Sequence, residues 1–433
     1  MSSSFADMFR VDDTTDRTDY RSFRYEGETS LVKVLEDDFA LKNYYDIFDN
    51  EESLKDTVKS LLSSGVKLNK VIAPRLYEIC RSVKSALNFT EDIDFFVISS
   101  VNFNAFSING FGFMPHMICL NSALIQFFTD EELAFVIGHE IGHLMFFHSQ
   151  LRIVSYLLSD SESKRMSKQI RHLFSRWFQY AEISSDRMGF IAQPNLETIG
   201  KVFFKLASGL SEEHLKFDIK EYMKQLDNMK EMSASDFHSS HPNNLVRLKC
   251  LDLFSQSELY KNHTASPEQQ QSLYKETQEV LDMLEYHPQT DNQKAAVEFL
   301  STVGMFMTCM DGSMNPRECE AMYDALSRFT SQPNKYLVFK DTDELLERIS
   351  KICAYYSSSQ NDYKYYLYEE MIYLAVCDGR MDEKEKALLE KLAEMLCIED
   401  DRAKSIIRNI CREYLNPRSV LTNTNVPTFF TSN

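Results

Sequence analysis

The sequence predicts an α+β protein, mainly helical, with a small sheet in its first half and an all-α domain in its second. Three observations predict it. Apolar residues recur at helical spacing over most of the 433 residues. Between residues 94 and 122 the pattern changes to short runs rich in aromatic and β-branched side chains. Beyond Ser266-Pro267 the spacing is helical again, to about Leu415.

Composition bounds the function. An apolar fraction of 43%, with 12% aromatic, is that of a globular chain long enough for two or three cores. The net charge of -18, without any Lys/Arg run, opposes a phosphate-backbone partner, so no nucleic acid is expected. The first residues lack an apolar stretch behind a basic start, and no run of about 18 apolar residues occurs. No membrane insertion is therefore expected, and the predicted location is the cytoplasm. Nine cysteines, dispersed and odd in number, read as reduced thiols.

Taken in order, residues 1–30 are rich in Ser, Asp, Thr and Arg and read as a flexible N-terminus. Residues 31–72 form a helical segment; the helical spacing runs from Leu31 to about Leu87, with breaks near Ser63-Ser64-Gly65 and at Pro74. DFFVISS (94–100), FNAFSIN (103–109) and HMICLNS (116–122) read as three strands separated by Asn, Gly and Pro turns. Thr129 and Glu132 form a capping box ahead of LAFVIGHEIGHLMFF, which opens a helix. A second long helix follows from about Ser163 to Ala192, with further helices over 195–230 and 243–254. Ser266 and Pro267 are an N-cap and N1 pair. The tail, 416–433, lacks periodicity.

The histidines of HEIGH carry the chemistry. Four residues apart on a helix, His139 and His143 share a face and can turn both imidazoles to one ion. Glu140, rotated by about 100°, leans over that ion's open position. This is the H-E-x-x-H arrangement of zinc peptidases, in which a carboxylate takes the proton of an activated water. A third His six residues after His143 is missing, since position 149 is Ser and Phe146 replaces the required Gly. His148 falls one residue short and points off the ligand face, so it is not read as a ligand. Glu182 and Asp186, four apart on the second long helix, are placed to supply a third ligand and to accept a ligand histidine's free N–H. A core helix with incidental histidines and a solvated acidic face are the other readings of these pieces.

"APRLYEICRSVKSALNF", "NAFSI", "ICLNSALIQFFTDEELAFVIGHEIGHLMFFH", "AEISSDRMG" and "SSHPNNLVRLKCL" occur in the order seen in HtpX-type zinc metallopeptidases. The chain resembles that family, which includes the CaaX prenyl endopeptidase, over about residues 73–255. The resemblance implies a gluzincin with one Zn2+ held by His139, His143 and Glu182, Glu140 as general base and Asp186 in support. It implies that His241 stabilises the oxyanion and that Arg247 supports the site. The strand before the zinc helix is then the sheet edge, so Met117, Ile118, Cys119, Leu120 and Asn121 would pair with substrate backbone, and Asn104 would shape the cleft. Lacking the membrane helices of some members, the chain is expected to act on soluble, possibly unfolded, protein or peptide.

In the second half, MTCMDGSMNPRECEAM (307–322) and LAVCDGRMDEKEKALL (374–389) repeat one design, with Asp311 and Asp378 67 residues apart. Gly312 and Gly379 suit helix ends, and Asn315 to Glu318 and Asp382 to Glu385 read as capping boxes. The pair resembles the all-helical TerB-like fold of tellurite-resistance proteins over 293–415, which implies a sensing module or a site for a protein partner. The expected organisation is a flexible 1–30, a helical 31–72, a metallopeptidase domain over 73–262, a connecting helix and linker over 263–292, the TerB-like domain over 293–415 and a flexible 416–433. The predicted function is a zinc metalloendopeptidase. The alternative is a stress-response interaction or metal-binding protein with an inactive or latent zincin domain.

Overall fold

The computed structural model describes residues 20–37, 56, 59–61, 63–110, 114–149, 151–152, 168–211, 213–214, 216–229, 243–283, 287–308, 316–337, 342–358 and 363–414. Two units divide the chain, Met1–Leu284 and Glu285–Asn433.

Order begins earlier than composition suggests. A 3-10 turn, Tyr20–Phe23, leads into α1, Glu26–Asp37. Phe23, Tyr25, Val32 and Leu35 are buried, and so is Glu28. The expectation of a flexible 1–30 is corrected for residues 20–30, while 1–19 lie outside the described residues. The physical reason is that a few large side chains outweigh the polar average. Phe23 and Tyr25 fill the core, and the backbone is held by Ser184 Oγ, which accepts from Tyr25 N at 2.9 Å, and by Arg187, which donates to Phe23 O at 2.9 Å.

The sheet has four strands in the order β1-β2-β4-β3, with β1 Gly65–Lys67, β2 Ile93–Ile98, β3 Ala105–Ile108 and β4 His116–Asn121. Strands β2 and β4 run parallel, pairing Ile93 with His116 through Ile98 with Asn121. β1 is antiparallel to β2, and β3 to β4. The three expected strands are present; β1, only three residues long, falls where a helix break was read. One placement is corrected. Met117 to Asn121 are not the sheet edge, because β4 lies between β2 and β3, and its backbone is committed on both sides. All six β4 residues are buried, and such an unalternating apolar run marks a central strand. The edges are β1 and β3, and β3, whose four residues are half-buried, is the one beside β4.

After β4 come a short helix, Ser122–Phe127, and the helix of the HEIGH stretch, Asp130–Met145; with α2 at Pro74–Ala86 these are α3 and α4. The α4 capping box forms as expected: Glu132 N donates to Thr129 Oγ1 at 3.3 Å and Thr129 N donates to the Glu132 carboxylate at 2.8 Å. Helix α5, Lys168–Ala192, packs along α4. Two glycines permit the approach. A Cβ at Gly138 would lie 2.6 Å from the Ala192 Cβ, and one at Gly142 would lie 2.8 Å from the Ser185 Cα.

Helices α6 (Leu196–Ser208), α7 (Ile219–Met229), α8 (Asn244–Gln256) and α9 (Glu258–Asn262) complete the surround. Helix α10, Pro267–Asp282, opens with the Ser266 cap and the N1 proline. It was expected to connect domains. Instead its Leu273, Val280 and Leu281 join the core of the first unit, because its apolar face meets α8 and α1.

The second unit is helical throughout its described residues, from α11 (Asp291–Thr308) through α12 (Pro316–Ser327), α13 (Thr342–Ser358), α14 (Tyr363–Val376) and α15 (Glu383–Met395) to α16 (Asp400–Tyr414). Phe299, Leu326, Tyr356, Leu367 and Leu389 centre its core. At the second Asp-Gly element Gly379 takes φ +94, and Asp382 and Glu385 close a capping box at 2.7 Å in both directions. Asp311, Gly312 and Asn315 of the first element lie outside the described residues. Among the described residues, no helix is long and apolar enough to cross a membrane, and the eight described cysteines are free thiols.

Candidate metal centre

Helices α4 and α5 bring three potential ligands together. His139 Nε2 lies 3.4 Å from Glu182 Oε2, His143 Nε2 lies 3.4 Å from Glu182 Oε1, and the two imidazole Nε2 atoms are 3.0 Å apart. All three residues are buried. Four ligands around zinc at about 2.0 Å stand about 3.3 Å from one another, so these separations fit one ion.

The outer nitrogens of both histidines are already engaged. His139 Nδ1 meets Asp186 Oδ1 at 2.9 Å, and His143 Nδ1 meets His148 Nδ1 at 2.7 Å. With protons on the Nδ1 atoms, both Nε2 atoms would present lone pairs to each other and to a carboxylate, an arrangement that a shared cation would make favourable.

Arg247 braces the acidic side. Its Nε donates to Asp186 Oδ2 at 2.7 Å and its NH2 to Asp186 Oδ1 at 2.6 Å, and the same NH2 lies 3.2 Å from Glu182 Oε2. Asn243 caps α8 and so aims Arg247 inward, its Oδ1 accepting from Leu245 N at 2.9 Å. Arg152, about half exposed, stands 3.8 Å from Glu182 Oε1.

The two histidines of the cluster are shifted in opposite directions. Burial would lower the pKa of His139, but the Asp186 hydrogen bond and the Glu182 charge outweigh it and the pKa rises. At His143 burial dominates over the Glu182 hydrogen bond, and its pKa lies well below the ordinary value. Burial likewise raises Glu140, which takes a hydrogen bond from Ser107 of the edge strand β3. Glu140 is therefore tied to the edge strand β3.

His148 was placed off the ligand face, and it is not part of the ligand cluster. It lies directly behind His143 instead. The helical extrapolation ends because α4 stops at Met145, and Phe147 takes φ 58, which swings the next residue back under the helix. Of the remaining expected site residues, Asn104 has an exposed side chain and contributes its carbonyl to Asn121 N at 3.1 Å, closing the end of the β3–β4 pair. Met117 to Asn121 are buried in the central strand. His241 lies outside the described residues. Glu28 went unnoticed, because no local pattern links an N-terminal glutamate to a histidine 120 residues on.

Residues 72–254 match peptidase family M48. The chain is also 23% identical over 217 residues to the plastoglobule-localized metallopeptidase 48, chloroplastic, of Arabidopsis thaliana, covering 46% of this chain and 62% of that protein. This chain thus spans less than two thirds of that relative's length. No solved structure matches the chain. The matched segment contains His139, Glu140, His143, Glu182, Asp186 and Arg247, so the residues that converge on the cluster all lie within the stretch that is similar to peptidase family M48.

Proposed function

We propose that the chain is a zinc-dependent metalloendopeptidase of the HtpX-like, gluzincin type that hydrolyses soluble, unfolded polypeptide. The observation that carries this reading is the buried cluster of His139, His143 and Glu182, whose ligand atoms lie close enough together to share one cation. The M48 match supports metallopeptidase chemistry. His139, His143 and Glu182 would hold the zinc, which would supply the acidity for a water and the polarisation of the scissile carbonyl. Glu140 accepts the proton of the attacking water and passes it to the leaving amine. Asp186 and Arg247 hold His139 and Glu182 in place, and His241 donates to the oxyanion. The substrate backbone extends the sheet along β3, the edge strand beside Glu140.

The all-α second unit is, in this reading, a TerB-like module that docks a protein partner, with its Asp-Gly elements serving as capping turns. The support is the Asp382–Glu385 box, which uses both residues within the turn.

The test compares wild type with Glu140→Gln on an unfolded substrate such as casein, at matched zinc content. Equal zinc with cleavage slowed by about 100-fold or more is expected. Cleavage at the wild-type rate by Glu140→Gln, or a wild type without stoichiometric zinc, overturns the proposal.

A further inference from the structure

The family match begins at residue 72, but the hydrogen bonds behind the metal cluster reach back to residue 28. Glu28 of α1 is fully buried, where a carboxylate is costly unless fully partnered. Its partners are Arg24 one turn earlier, Ser184 Oγ on α5 and His148 Nε2 at 2.9 Å. His148 Nδ1 then meets His143 Nδ1 at 2.7 Å, with Ser185 Oγ farther off at 3.4 Å.

Glu28 sets the direction of every bond in this row. An ionised carboxylate only accepts, so His148 Nε2 donates to it. An imidazole that donates from Nε2 accepts at Nδ1, and the 2.7 Å separation of the two Nδ1 atoms is that of a hydrogen bond. His148 Nδ1 thus accepts from His143 Nδ1–H, and the lone pair of His143 is thereby left on Nε2, the atom that faces His139 and Glu182. Were the row reversed, the proton would sit on His143 Nε2 and close the site to a cation. His139 receives the same service from Asp186, inside the matched segment.

We propose that Glu28 is a positioning residue of the metal centre, acting through His148 to fix the tautomer and orientation of His143. This rests on the metal reading of the cluster. It makes the N-terminal segment, outside the family match, a working part of the site.

The test measures zinc dissociation constants of the full-length protein by competition with a chromophoric chelator, for wild type, Glu28→Gln, His148→Phe and the double variant. Thermal melts in excess chelator monitor folding separately. His148→Phe and Glu28→Gln are each expected to weaken zinc about 10-fold or more. The double variant should be no weaker than His148→Phe alone, because the two act in series. The cobalt-substituted absorption spectrum should shift in the same variants. Affinities within twofold of wild type, or losses that multiply in the double variant, overturn the proposal; if His148→Phe does not fold, Glu28→Gln decides. A wild type that binds no zinc instead overturns the metal reading itself.

Discussion

Arg247 serves two buried carboxylates at once, and its removal takes a cation from both. Breaking one side of a buried charge pair typically costs about 3–5 kcal/mol. Arg247→Met should therefore lower the stability of the zinc-free first unit by about that amount in urea unfolding, and by less when zinc neutralises Glu182. At Glu28 burial opposes ionisation, yet Arg24 and His148 outweigh it and hold the carboxyl well below its ordinary 4.5. A folded value below the unfolded one means that the unfolded chain takes up the proton first on acidification. The stabilisation is thus fully present above about pH 4.5 to 5 and is lost as pH falls toward the folded value. Thermal melts should show a constant gap between wild type and Glu28→Gln from pH 8 to 5.5, narrowing below 4.5. A gap that widens in acid contradicts the assignment.

Among elements, the α4–α5 contact controls the site, since one helix carries both histidines and the other carries Glu182 and Asp186. Alanine ordinarily improves a helix over glycine by about 1 kcal/mol. Here the added methyl at Gly142 meets backbone at 2.8 Å, so Gly142→Ala should destabilise by about 1–3 kcal/mol and weaken zinc by spreading the ligands. Calorimetry and the chelator titration read the two effects. Local signals made α4 legible: a capping box, then two histidines one turn apart, on a helix whose ends are set by short-range bonds. The α5 carboxylates were legible for the same reason of spacing. What escaped depended on distant partners or on where an element stops. The place of β4 inside the sheet is decided by β3 folding back beside it, although its unbroken apolar run was a usable sign. His148 escaped because a helical wheel does not foresee the turn at Phe147, and Glu28 because its partners are all far along the chain except Arg24.

For the molecule as a whole, each of the two units has a core of its own, and among the described residues the His139–His143–Glu182 cluster lies in the first. A ligand that binds a folded unit stabilises that unit by about 4 kcal/mol at a thousandfold excess over its dissociation constant. Scanning calorimetry should accordingly show two transitions, of which chelation lowers one and leaves the other in place; a uniform shift would contradict independent units. The central claim is that His139, His143 and Glu182 bind one zinc ion through nitrogen and oxygen alone. X-ray absorption at the zinc edge on the full-length protein, combined with metal analysis, tests it most directly. The account predicts one equivalent of zinc with four nitrogen and oxygen neighbours at about 2.0–2.2 Å, two of them imidazole. Absence of stoichiometric zinc, or a sulfur neighbour at about 2.3 Å, would contradict it.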